Sequence, residues 1–154
     1  MLQVDIRDLR RGPVATEGKL TPQDPLFEGL GVRLVSPVTV EGVLESAGHD
    51  GYFWHGRFSS QVQSVCRRCL EEFITPVAQD VEVIFSADPE LQDDPSVYPL
   101  REPLAQVDLR PAVREELALA VEIFPLCRED CRGLCARCGA DLNRGPCQCG
   151  TTSA

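Results

Sequence analysis

The sequence is poor in lysine and histidine and has no long apolar run. Lys19 is the only lysine among fifteen basic residues, and His49 and His55 are the only histidines in 154 positions. No stretch approaches the ~18 continuous apolar residues of a membrane-spanning helix. The opening MLQVDIRDLRR lacks the apolar centre of a signal peptide. A cytoplasmic protein that does not enter the membrane is the expectation. Enzyme signatures are missing too: no G-x-S-x-G, no P-loop, no dinucleotide glycine fingerprint and no H-E-x-x-H. His49 falls in a hairpin turn and His55 on the polar face of a strand, while Asp93-Asp94 and Glu115-Glu116 read as a loop and a helix surface. A non-enzymatic protein without a small-molecule substrate is expected. A formal charge of −9 repels phosphate backbones and disfavours unspecific binding to nucleic acid, though not a local site. Fourteen of the basic residues are arginine, the better fork for phosphates and base edges, although a GC-rich coding bias gives the same richness.

Residues 11–31, RGPVATEGKLTPQDPLFEGLG, are broken by Gly12, Pro13, Pro22, Pro25, Gly29 and Gly31 and read as a loop or extended crossing. From Val32 the pattern alternates. Val38, Val40 and Leu44 share one face of a strand, with Thr39, Glu41 and Glu45 on the other. Asp50-Gly51 suits a type I′ hairpin turn. The second arm places Tyr52, Trp54, Phe58 and Val62 opposite His55, Arg57, Gln61 and Gln63. A third run aligns Phe73, Val77, Val81, Val83 and Phe85. Residues 86–103, acidic and proline-rich, read as a mobile solvated loop. Asp108 is the expected N-cap of one helix, with Pro111 in its first turn, Leu109, Val113, Leu117, Ala120 and Val121 at helical spacing, and Pro125 helping to end it. The expected fold class is therefore α+β: a curved antiparallel β-meander or partly closed barrel with one packed helix. The expected domains are 1–125, this α+β body, and 126–154, a cysteine-rich zinc-binding tail docked on it.

Six of the eight cysteines fall in the last twenty-eight residues. In a reducing cytosol such pairs bind metal or do thiol chemistry more often than they form structural disulfides. Cys135 and Cys138 in CARCG form a zinc-knuckle pair, with Gly139 relaxing the turn, and Cys147 and Cys149 in CQCG complete four thiolates. Cys66, Cys69, Cys127 and Cys131 suit a second tetrahedral site that clips the tail to the sheet. The alternatives are Cys131 in place of Cys135 and an unmetallated CRRC pair; CRRC, followed by Leu70 rather than glycine, is a weaker knuckle than CARCG. Two zinc ions are expected. The tail has few large apolar residues and cannot bury a core, whereas a structural zinc supplies about 10–16 kcal/mol of apparent binding free energy. Four cysteines without histidine or carboxylate make closed structural sites, not catalytic ones.

VCRRCLEEF after a long hairpin, the acidic proline-rich loop, VDLRPAVREELALAVEIFPLC and CRGLCARCGADLN together resemble the YceD-like family of large ribosomal RNA subunit accumulation proteins. The resemblance covers about residues 32–150, and all eight cysteines match its cysteine-rich form. It implies a cytoplasmic bacterial factor in ribosome biogenesis, needed for normal levels of the 23S ribosomal RNA. Its partner is then the large-subunit RNA precursor or a ribosomal protein. Candidate RNA contacts are Arg67, Arg68, Arg128, Arg132, Arg137 and Arg144, although residues 127–150 carry a net charge of only +1 and the arginines are equally suited to pairing with neighbouring acids. A zinc-stabilised protein adaptor, with the acidic body engaging a basic ribosomal protein, is a second reading, and a thiol-redox sensor a third.

Overall fold

The computed structural model describes residues 1–49 and 51–151. Its elements in order are β1 (Gln3–Asp5), α1 (Ile6–Leu9), β2 (Val14–Leu20), β3 (Arg33–Leu34), β4 (Val38–Ser46), β5 (Gly51–Val65), β6 (Glu72–Ser86), β7 (Val97–Pro99), β8 (Gln106–Asp108) and α2 (Arg110–Ala120). Short 3₁₀ turns lie at Pro25–Phe27, Pro89–Leu91 and Gln148–Thr151. The main sheet runs β2-β4-β5-β6-β7, with β3 also paired to β5, and β1 pairs with β8 separately. By compactness the chain divides into two units, Met1–Val62 with Pro76–Val121, and Gln63–Thr75 with Glu122–Ala154. The second unit thus comprises the tip of the β5–β6 hairpin as well as the C-terminal stretch.

The alternation in β4 and β5 buries what it should. Val38, Val40, Leu44, Trp54, Phe58 and Val62 are buried, while His55, Arg57 and Gln61 are exposed. The antiparallel register sets Leu44 beside Trp54, Gly42 beside Gly56 and Val40 beside Phe58. That glycine pair makes room for the indole. A Cβ built on Gly56 would stand 2.5 Å from Cζ2 of Trp54, and one on Gly42 would stand 2.9 Å from its Nε1. Thr16, level with Gly42, accepts the indole N–H at 2.9 Å, so the polar atom of a fully buried tryptophan is satisfied.

Residues 11–31 are not a bare loop. Between Pro13 and Pro22 runs β2, antiparallel to β4 over seven residues from Val14↔Leu44 to Leu20↔Val38. Its inward residues include Thr16 and Gly18, so an alternating strand has no hydrophobic stripe. The side chain of Leu2 fills the space over Gly18, where a Cβ would meet Leu2 Cγ at 2.9 Å. The following turn is tied by Arg114 of α2, which donates to the carbonyl of Leu26 at 2.8 Å. Likewise, the acidic segment 86–103 carries β7, whose Val97 and Tyr98 are buried and which pairs parallel to β6. The sheet is therefore not wholly antiparallel, and it has β2 and β7 as its ends rather than closing into a barrel.

Helix α2 begins at Arg110, with Leu109 rather than Asp108 at the cap position. Asp108 still receives the N–H of Arg110 at 3.0 Å and grips its guanidinium at 2.7 Å. The helix ends where Val121 turns extended, four residues ahead of Pro125. Leu109, Ala112, Val113 and Leu117 are buried, and Ala120 and Val121 are partly buried against the same core. The Asp50-Gly51 turn expected from the sequence includes Asp50, which lies outside the described residues.

Candidate metal centres

Two turns of the second unit share one backbone design. In the first, the N–H of Leu70 donates to the carbonyl of Cys66 at 2.9 Å and the N–H of Cys66 to that of Glu71 at 2.8 Å. In the second, Gly139 donates to Cys135 at 2.9 Å and Cys135 to Ala140 at 2.8 Å. Each loop folds a C-x-x-C pair so that both sulfurs face the same point. Both place a left-handed residue directly after the second cysteine: Gly139 has φ 73° and Leu70 has φ 62°. Leu70 is the only described non-glycine residue with positive φ, and it adopts the glycine conformation despite its side chain.

The eight thiols gather as Cys66, Cys69, Cys127 and Cys131, and as Cys135, Cys138, Cys147 and Cys149. Within each group all four sulfurs lie within 4.8 Å of one another. Cys131 thus stands with the first group and Cys135 with the second. The sulfurs of Cys66 and Cys131, and those of Cys69 and Cys127, are 3.7 Å apart. That is far beyond a disulfide bond. It matches the edge of a tetrahedron with metal–sulfur arms of about 2.3 Å, which is about 3.8 Å. Each quartet could therefore hold a tetrahedral, thiolate-preferring ion.

Their surroundings differ. Cys66, Cys69 and Cys131 are buried in a small apolar cluster with Phe73, Leu126 and Leu134, so Phe73, aligned by sequence with the β6 core residues, packs on the cysteines instead. Cys138 of the second quartet is exposed and its partners are half-buried. In both places the thiols have divergent acidities. Burial pushes the Cys66 thiol up, but the N–H groups of Cys69, Cys127 and Arg68 outweigh it and bring it to about 6. Burial and the neighbouring thiols push Cys127 to about 12. The N–H groups of Cys138 and Arg137 lower Cys135 to about 6, while hydrogen bonding with Cys138 and burial raise Cys149 to about 11. Four thiolates cannot crowd together without a cation; one ionises readily and its neighbours then resist.

The six arginines are all exposed and all in this unit, but they do different things. Arg68 donates to the carbonyls of Cys131 at 3.0 Å and Glu129 at 3.3 Å, bracing the first quartet. Arg67 stands 4.0 Å from the centre of the Phe124 ring. Arg128 pairs with Asp130 at 3.4 Å and Arg144 with Asp141 at 3.6 Å. Arg132 and Arg137 contribute backbone N–H groups to Asn143 and Cys135. Asn143 and Phe124 were not foreseen as part of this site; Asn143 sits in a Gly-x-Asp-x-Asn run whose turn chemistry was the available signal. His49 and His55 are exposed and belong to neither quartet. Among the described residues no helix is long and apolar enough to cross a membrane.

A mostly-sheet chain with one main helix and two four-cysteine clusters defines the class. The chain belongs to the YceD family: the family model described as "Large ribosomal RNA subunit accumulation protein YceD" matches residues 54–154. It is 36% identical over 45 residues, 29% of its length, to a protein of Arabidopsis thaliana named "Large ribosomal RNA subunit accumulation protein YCED homolog 1, chloroplastic". It is 27% identical over 147 residues, 90% of its length, to an uncharacterized protein of Mycobacterium leprae. These matches span 14% and 66% of the two relatives' own lengths. No solved structure matches the chain.

Proposed function

We propose that this chain is a zinc-stabilised, non-enzymatic factor that sustains large-subunit ribosomal RNA by binding to it. The observation that carries the reading is that the family match, residues 54–154, contains all eight cysteines and all six candidate arginines. Four sulfur ligands at tetrahedral spacing, with no histidine among them and no open position, are the donor set of a structural zinc. Zinc would complete a unit too small to hold itself together by apolar burial.

Charge says where RNA contact can occur. The second unit has six arginines against six acids and no net formal charge, while the first, with eighteen acids against nine bases, carries the whole −9. Each zinc with four thiolates adds two negative charges, so individual guanidinium heads rather than a basic field must meet the phosphates. Arg67, Arg132 and Arg137 are the cleanest probes, because Arg68 also braces Cys131. A second reading is favoured by the same division: the acidic first unit engages a basic ribosomal protein, and the zinc unit serves only to shape its own surface.

The test in cells is a deletion strain assayed for both ribosomal RNAs and for the subunit profile on a gradient. A selective deficit of the large-subunit RNA is expected, with transcription unchanged; equal RNAs and an ordinary profile contradict the proposal. In vitro, replacing Arg67, Arg132 and Arg137 by alanine should weaken binding to large-subunit RNA fragments and flatten its salt dependence. Unchanged affinity and slope, with salt-sensitive binding to a basic ribosomal protein retained, favours the second reading.

A further inference from the structure

The side chain of Asn143 reaches the first quartet from within the loop of the second. Its Oδ1 accepts from Nη2 of Arg128 at 2.7 Å and from the backbone N–H of Arg132 at 2.8 Å. Its Nδ2 stands 3.3 Å from Sγ of Cys131. Both partners of Oδ1 can only donate, so the amide must face them with its oxygen, and its NH₂ group is thereby aimed at the sulfur. An N–H directed at the sulfur holds Cys131 in a fixed orientation within its quartet, as hydrogen bonds from outside a metal's ligand set do generally. Asn143 thus supports a ligand of one centre from outside its own quartet.

What positions Asn143 belongs to the other centre. It lies between Cys138 and Cys147, so closing the second quartet on an ion ties down both ends of its loop. Within that loop Asp141 forms an antiparallel bridge with Leu134, the N–H of Leu142 donates to Gly133 at 2.9 Å, and the N–H of Asn143 donates to Oδ1 of Asp141 at 2.9 Å. We propose that Asn143 couples the two centres: an ion in the second quartet holds the loop that presents Asn143 to Cys131, and so raises the affinity of the first. By linkage, an ion in the first quartet raises the affinity of the second by the same factor. The inference rests on the reading that both quartets take metal.

The test is a cycle on the full chain, reduced and stripped of metal, titrated with cobalt(II) alone and followed by its sulfur-to-cobalt charge-transfer absorption. Cys69→Ser, which disables the first quartet, assigns the two binding steps. Disabling the second quartet with Cys138→Ser and Cys147→Ser should weaken cobalt at the first about tenfold. Asn143→Asp keeps an oxygen for Arg128 and Arg132 but turns a second one toward Cys131; it should weaken the first quartet at least as much and shift its charge-transfer band. Combining the two lesions should add nothing further. The same cycle with Asn143→Ala, which removes the donor without adding charge, should also give about a tenfold loss, and it decides the matter if the aspartate variant does not fold. Equal losses from the cysteine lesion with and without Asn143, or wild-type affinity in Asn143→Ala, overturn the coupling while leaving two metal sites standing. A wild-type chain that takes up fewer than two cobalt ions overturns the metal reading and the coupling with it.

Discussion

At the scale of single residues, the two knuckle turns invite a direct exchange. Leu70 holds φ 62° where Gly139 holds φ 73°, and a side chain in that region costs roughly 1–2 kcal/mol, partly offset by the greater freedom of glycine in the unfolded chain. Leu70→Gly should therefore stabilise the first turn by about 1 kcal/mol, and Gly139→Leu should weaken the second by a similar amount. Competition against a chelator reads both changes; a Leu70→Gly chain that yields its metal more easily contradicts the backbone account. Trp54 offers a second measurement. Thr16→Val keeps the volume but strands a buried indole N–H, and should cost about 1–3 kcal/mol in denaturant unfolding. Sequence reading reached neither Thr16 nor Asn143. Their partners, Trp54 and Cys131, lie 38 and 12 residues away in the chain and meet them only once it has folded.

At the scale of elements, the strands legible in sequence are those whose inward positions hold large apolar side chains: Val38, Val40 and Leu44 in β4, and Trp54, Phe58 and Val62 in β5. β2 obeys the same alternation with Thr16 and Gly18 facing in, and a hydrophobic pattern cannot register a glycine covered by Leu2. β7 is three residues long amid acids and prolines, and its pairing with β6 is parallel, which local pattern does not specify. The cysteine grouping was legible because close spacing fixes pairs, although the meeting of Cys66 and Cys69 with Cys127 and Cys131 depends on the fold. For the metal-free quartets the acidities set a pH response. At neutral pH Cys66 and Cys135, near 6, are already thiolates, whereas Cys127, near 12, and Cys149, near 11, keep their protons until metal displaces them. Loading should release protons, and affinity should fall as pH drops, most steeply once it passes below about 6 and even the two acidic thiols protonate. Proton release measured in weak buffer during zinc titration checks this; loading without proton release contradicts it.

At the scale of the whole molecule, all eight cysteines lie in one unit, which has no net formal charge, while the other carries the whole −9. We propose that two zinc ions complete the unit that holds the cysteines. Freshly purified, fully reduced protein should carry close to two zinc ions per chain by elemental analysis with matched protein quantitation. Cys138→Ser and Cys69→Ser should each retain one ion, held by different quartets. Less than half an equivalent of zinc in the wild-type chain, or loss of the same ion from both variants, contradicts the account.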